Sequence, residues 1–213
     1  MKKLKSLALM ALALLPTSKA LAQTNAQVLY DFGTDRKYVT LTLEMFKQDK
    51  WGSTYFFVDH DFNYDKMDPN SDNVSLGGTY TEISRALNFW KDSSLKNWSL
   101  HAEYNGGITK NYPINNAWLF GVEYLIHDAT YKNTLNLEVL YKTIRKKLHW
   151  YVLVGLADPR HTVFITEPQL WYNVGQHFGC ENLSLGGEVE ITNNFGSTDG
   201  AKVRPCLGVK WDF

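Results

Sequence analysis

The sequence predicts an all-β protein, a single antiparallel transmembrane β-barrel of twelve strands, with ten as the alternative. Three observations lead there. The last residues run Val203-Arg204-Pro205-Cys206-Leu207-Gly208-Val209-Lys210-Trp211-Asp212-Phe213, apolar at every second position and polar, charged or small between. A period of two puts the apolar set on one face of a strand and the rest on the other. Chain ends are ordinarily frayed and polar, whereas this one is aromatic, as suits a strand ending at a lipid–water interface. Taken alone, this segment also fits a half-buried terminal strand of a soluble protein.

The amino terminus supplies the second observation. Lys2, Lys3 and Lys5 precede an apolar run from Leu7 to Leu15, and Ala20-Leu21-Ala22 is a small-x-small cleavage site before Gln23. That pattern is a secretory signal peptide, with an apolar core too short to span a bilayer. Residues 1–22 are therefore expected to be removed, leaving 23–213 as one outer-membrane β-barrel domain. The full chain balances 22 basic against 22 acidic residues; the leader removes Lys2, Lys3, Lys5 and Lys19 and no acid, so the mature chain is net acidic. The third observation is compositional. No later run reaches the roughly 18 consecutive apolar residues of a membrane helix, yet the chain holds 7 Trp, 12 Tyr and 11 Phe. A barrel needs only alternate residues to be apolar, which reconciles abundant aromatics with modest hydropathy.

The elements follow in order. A short strand is expected at Gln27–Phe32. Tyr38–Phe46 alternates Val39, Leu41, Leu43 and Met45 with Tyr38, Thr40, Thr42, Glu44 and Phe46; a turn at Gln48–Gly52 leads to Thr54–Phe62, where Tyr55, Phe57, Asp59 and Asp61 share a face. A long polar loop is expected at Asn63–Asn73, carrying breakers such as Asp68-Pro69. Leu76–Phe89 reads as a strand in which Glu82 and Arg85 can share a face only through a bulge. Trp98–Asn105, Ala117–Ile126 and Leu135–Tyr141 alternate cleanly, with Ser99, His101, Glu103, Asn105, Glu123, Asn136 and Glu138 on the polar face. His149–Asp158 is apolar on both faces. Phe164–Val174, Leu183–Asn193 and the terminal segment complete the pattern, with connections alternating roughly between short and longer. Eleven segments result, whereas a barrel with both ends on one side needs an even number; either two strands are merged, with Leu135–Val174 the region expected to hide them, or one segment is not a strand, and twelve fits better than ten. Cys180 falls in a turn and Cys206 on the last strand, too far apart for a disulfide, so two free thiols are expected.

Several strings carry a resemblance: Tyr30-Asp31-Phe32-Gly33, Asp35-Arg36-Lys37-Tyr38, Thr42-Leu43-Glu44-Met45-Phe46-Lys47, Asp49-Lys50-Trp51-Gly52-Ser53-Thr54, Phe56-Phe57-Val58-Asp59, Glu103-Tyr104-Asn105-Gly106-Gly107, Glu167-Pro168-Gln169-Leu170-Trp171-Tyr172 and Glu188-Val189-Glu190-Ile191-Thr192-Asn193-Asn194-Phe195. Through them the chain resembles a family of small outer-membrane proteins of Gram-negative anaerobes grouped with the Tsx-like, nucleoside-specific channel-forming proteins. The resemblance implies a narrow twelve-stranded barrel passing nucleosides by diffusion. Tyr141–Pro159 looks one strand shorter than that family's pattern.

On the alternation above, Glu44, Asp59, Asp61, Glu103, Glu123, Glu138, Glu167, Glu188 and Glu190 face the lumen, with Arg204, Lys210, Lys142 and His101. Each alone is explained as wall lining paired for stability. Together they make an acidic interior that disfavours anions and admits neutral or cationic solutes. Tyr38, Phe46, Tyr55, Phe57 and Trp171 also point inward. Aromatic faces beside carboxylates suit a solute with a flat base and a hydroxylated sugar. The expected solute-lining set is Glu44, Phe57, Asp59, Asp61, Glu103, Glu167, Trp171, Glu188, Glu190 and Arg204, with Glu44 and Asp59 its sharpest pair.

The expected function is therefore an outer-membrane channel for passive diffusion of small solutes, nucleosides the best single identification. A structural or plugged barrel is the alternative, and an outer-membrane hydrolase a weaker one. His60, His101, His127, His149, His161 and His177 show no metal-ligand spacing, and no serine has a nucleophile-elbow context, so no enzyme activity, cofactor or metal is expected. No basic patch suits nucleic acid. The partners expected are outer-membrane lipid, the outer-membrane assembly machinery and neutral or cationic solutes, with the protein a monomer.

Overall fold

A computed structural model of the chain describes residues 23–34, 36–62, 76–109, 113–127, 134–144, 147–152, 156–158, 161–162, 164–194 and 199–213. The expected signal peptide and the expected loop Asn63–Asn73 lie outside these residues. Fourteen strand segments follow one another: β1 (Gln23–Asp31), β2 (Val39–Asp49), β3 (Gly52–Phe62), β4 (Leu76–Leu87), β5 (Trp98–Thr109), β6 (Pro113–His127) and β7 (Thr134–Ile144). Then come β8 (Lys147–Val152), β9 (Leu156–Asp158), β10 (His161–Thr162), β11 (Phe164–Thr166), β12 (Gln169–Asn173), β13 (Leu183–Asn193) and β14 (Ala201–Asp212), with one short 3-10 helix, Gly175–His177, before β13.

All pair antiparallel in one sheet. From β1 to β10 each strand lies beside its sequence neighbour, and β14 returns to pair with β1 along Asn25↔Asp212 through Asp31↔Cys206. β11 and β12 both pair with β13 in one unbroken register, Thr166 opposite Ile191 and Gln169 opposite Glu188. They are one strand interrupted at Glu167 and Pro168, because proline has no N–H to give to a ladder. The break is slight, since the Val189 N–H still donates to the Pro168 carbonyl (3.1 Å). β10 precedes β11 by the single residue Val163, so the segments make a sheet of twelve strands.

The missing strand lies inside the region expected to hide it. His149–Asp158 is not one strand but parts of two, β8 and β9, which pair through Val152 and Leu156. A run apolar on both faces has no period to betray a turn, and Gly155 is the only compositional sign of the break. Phe164–Val174 is one strand as expected, slightly interrupted at Pro168 and ending at Asn173, since Val174 is already the N-cap of the 3-10 helix. Leu76–Phe89 needs no bulge to reconcile its charges. The β4–β5 register runs unbroken from Gly78↔Thr109 to Leu87↔Leu100, leaving Glu82 and Arg85 on opposite faces. Arg85, near the Lys50–Trp51 turn, donates to Asp49 and to Thr54, each at 2.8 Å. The register shifts elsewhere, between Asp61 and Phe62 opposite the start of β4, and between Asn105 and Gly107, where a Cβ on Gly107 would lie 2.2 Å from the Thr79 carbonyl oxygen. The connections are also mixed rather than alternating: the end holding Gln23 and Phe213 carries the tight Lys50–Trp51 turn and the longer 88–97 and 174–182 connections.

Alternation sorts the side chains onto two faces, and the sorting inverts that of a water-soluble sheet. On β14, Arg204 is 3% exposed while Val203 and Leu207 beside it are 57% and 63% exposed. On β5, Ser99, His101, Glu103 and Asn105 are buried and Trp98 and Leu100 exposed; on β6, Glu123 is buried and Trp118, Phe120 and Val122 are exposed. Among the described residues the buried face holds a small apolar cluster, Ala117, Leu119 and Leu140, with Leu29, Tyr38 and Ala86 buried elsewhere, and most of its other buried side chains are polar or charged. Glu82 on β4 and Glu167 beside β12 act electrostatically on each other although β3, β2, β1, β14 and β13 lie between them in the hydrogen-bonded order.

Candidate functional site

Burying charge is costly unless each group finds partners, and the buried face answers with four linked groups. In the first, β1, β2 and β3 bring amides and hydroxyls to carboxylates. Asn25 and Gln27 donate to Glu44 (3.2 and 3.3 Å), and Thr42 donates to Asp59 and Thr40 to Asp61 (each 2.6 Å). Beside them an aromatic ladder crosses β3 and β4, with Phe57 6.0 Å from Tyr55 and 5.8 Å from Tyr80 between ring centroids. The Tyr80 hydroxyl donates to Glu82 (3.4 Å).

The second group lies at one end of the buried face, where β1, β14 and β13 are neighbours. Arg204 donates to Glu190 and, at 3.2 Å, to Thr192. Arg36, from the β1–β2 connection, reaches the same carboxylate with both terminal nitrogens (2.8 and 3.2 Å) and lies 3.7 Å from Asp31. Asp31 in turn accepts from the Gly33 N–H (2.6 Å), which pins the connection to the end of β1. In the third group Gln169 donates to Glu188 (3.1 Å), Trp171 donates to Gln169 (3.0 Å), and Lys210 sits 5.3 Å over the Trp171 ring. The fourth joins β5, β6 and β7: His101 Nδ1 lies 2.8 Å from Glu123 and 3.7 Å from Glu138, and its Nε2 3.5 Å from Glu103.

The expected set is thus largely on one face, but not in one site. Asp59, Glu167 and Glu188 act on one another from β3, the β11–β12 break and β13, and Glu44 and Asp61 flank Asp59. Glu190 and Arg204 form the ion cluster at the end. Glu103 lies beside His101 and acts on Tyr80 and Glu82, as Glu167 also does. Phe57 packs in the Tyr55–Tyr80 ladder and Trp171 under Lys210, so the two aromatics of the expected lining set belong to separate groups. Sequence reading missed Glu82, whose face was left undecided, and Arg36 and Asp31. Glu82 was recoverable by letting Arg85 face outward at a turn. Arg36 was not, because a connecting segment has no period to orient it. Chemically, the face offers many carboxylate acceptors, few fixed cations and one aromatic ladder.

A family model described as a domain of unknown function, DUF5020, matches residues 22–157 and 150–213. The chain belongs to the DUF5020 family. No curated protein matches it. The two stretches of the DUF5020 match meet over residues 150–157, within the region where β8 gives way to β9. In this DUF5020 chain both cysteines, Cys180 and Cys206, are free, in accord with the sequence.

Proposed function

We propose that this chain is a closed outer-membrane β-barrel that passes small neutral or cationic solutes by diffusion, with nucleosides the best single candidate. The observation that carries the reading is the inverted sheet. Its exposed face is a continuous apolar surface, with Tyr30, Leu43, Ile83, Trp98, Trp118, Phe120, Val139, Leu185, Val203 and Leu207 all exposed, and its buried face is charged. Contiguous apolar surface on this scale calls for a non-aqueous partner, and lipid is the partner that leaves a polar interior. Closure is supported by the chain itself: Thr162 ends one side of the hydrogen-bonded order and Phe164 the other, and Cα atoms two residues apart are separated by at most about 7 Å.

Solute choice rests on the interior. Asp59, Glu44, Asp61, Glu167 and Glu188 beside the Phe57–Tyr80 ladder give a flat base a ring to stack on and sugar hydroxyls acceptors to bind. Serial weak sites permit passage. The resemblance to Tsx-like nucleoside channels points the same way, and a leader removed before Gln23 provides export. A second reading, a plugged barrel without transport, is favoured by the Arg36–Glu190–Arg204–Asp31 cluster, which draws the β1–β2 connection onto the charged face of the neighbouring strands. Liposome swelling distinguishes them. The channel reading expects faster swelling in nucleosides than in sugars or amino acids of similar size; equal rates would leave a general pore, and no swelling would favour the plug.

A further inference from the structure

The fourth group contains an arrangement that lining a pore does not explain. Glu123 on β6 stands directly opposite Glu138 on β7, and like charges directly opposite one another destabilise a sheet. Glu103 is close by on β5, and a single imidazole, His101, sits among the three. Its Nδ1 meets Glu123 at 2.8 Å; an ionised carboxylate only accepts, so that nitrogen carries the proton. Its Nε2 is buried and has no hydrogen-bond partner, although the side chain is only 4% exposed. Glu103 lies 3.5 Å from this nitrogen, beyond a good hydrogen bond.

We infer that His101, Glu103 and Glu138 form a binding site for one divalent cation of the zinc class, with Glu123 orienting the imidazole. A ring nitrogen of His101 and one carboxylate oxygen each from Glu103 and Glu138 lie within 4.8 Å of one another. Zinc–ligand bonds near 2.0 Å in a tetrahedron separate the ligand atoms by about 3.3 Å, so His101 and Glu103 already stand close to the needed spacing. Glu138 lies 3.7 Å from Nδ1, and its side chain, 34% exposed, would turn toward Nε2 to complete the site. The surroundings match those of metal ligands, which are held by a further layer of hydrogen bonds: Glu123 on His101, Asn105 on Glu103 (2.9 Å) and Asn136 on Glu138 (2.7 Å). Gly121, opposite His101, places no side chain against the ring. One imidazole with two carboxylates selects zinc-class ions over Mg²⁺ or Ca²⁺, which take oxygen-only shells. Strands that gave no ligand spacing in sequence become ligands through register.

The test is Zn²⁺ titration by calorimetry of the untagged chain from Gln23, folded in detergent, with heat-modifiable migration monitored as the folding control. One saturable site is expected, insensitive to excess Mg²⁺. His101→Gln and Glu138→Gln should each weaken it at least tenfold, and His177→Gln, at an exposed histidine of the 3-10 helix, should leave it unchanged. Should His101→Gln fail to fold, Glu138→Gln at its partly exposed position decides alone. Absence of saturable binding, or wild-type affinity in folded Glu138→Gln, would overturn the assignment.

Discussion

Asp59 and Glu44 are where residue chemistry bears most directly on the proposed channel. Both face the polar interior, held by Thr42 and by Asn25 and Gln27, and they act on each other electrostatically. A unit charge about 4 Å from a passing ion is worth about 4 kcal/mol at the effective dielectric of a protein surface, so two carboxylates can dominate selectivity. The double substitution Glu44→Gln and Asp59→Asn keeps size and hydrogen bonding while removing both charges. Single-channel recording in asymmetric salt should show the reversal potential move toward zero and nucleoside block weaken; unchanged values would reduce both residues to wall lining. Arg204 makes a stability prediction. Its removal leaves Glu190 buried with Arg36 alone, and breaking a buried ion pair from one side costs about 3 kcal/mol. Arg204→Leu should lower the denaturant midpoint of the folded protein accordingly, and no shift would mean Arg36 suffices. The faces of Glu44, Asp59, Glu190 and Arg204 were all legible from a period of two. Their partners across strands were not, because register depends on connections whose lengths the period does not encode.

At the scale of elements, the hydrophobic period located every strand that has one polar and one apolar face. It failed where that asymmetry disappears. β8 and β9 lie in a run apolar on both sides, so one strand was read where two pair, whereas Phe164–Val174, whose alternation passes through Pro168 unchanged, was read as the one strand that β11 and β12 make. The close contacts between strands were also hidden. A Cβ on Gly121 would sit 1.9 Å from the Val139 carbonyl oxygen of the neighbouring strand β7, backbone that cannot move aside without opening the pair. Gly121→Ala should destabilise the protein by about 1–3 kcal/mol, the usual cost of overpacking. Denaturant unfolding in detergent checks this; a midpoint equal to wild type would mean that β6 and β7 separate there at no cost.

For the whole molecule, the proposed account depends on a sheet that closes on a charged interior and turns its apolar face to lipid. The terminal strand carried this signal in sequence, since Val203, Leu207 and Val209 are exposed and Arg204 buried as their alternation requires. The even strand count was not legible there, and it came from the register of β8 through β13. Trp118 and Trp98 are exposed on the apolar face, and Tyr124 packs on Trp98 with ring centroids 4.9 Å apart, an arrangement suited to an aromatic girdle at an interface. Closed barrels resist unfolding by detergent at room temperature because every strand is paired on both sides. Heat-modifiable gel migration of the chain from Gln23, folded in detergent micelles, therefore tests the central claim most directly. The account predicts that the unheated sample runs ahead of the boiled one. Identical migration, from a protein that is also a water-soluble monomer without detergent, would contradict it.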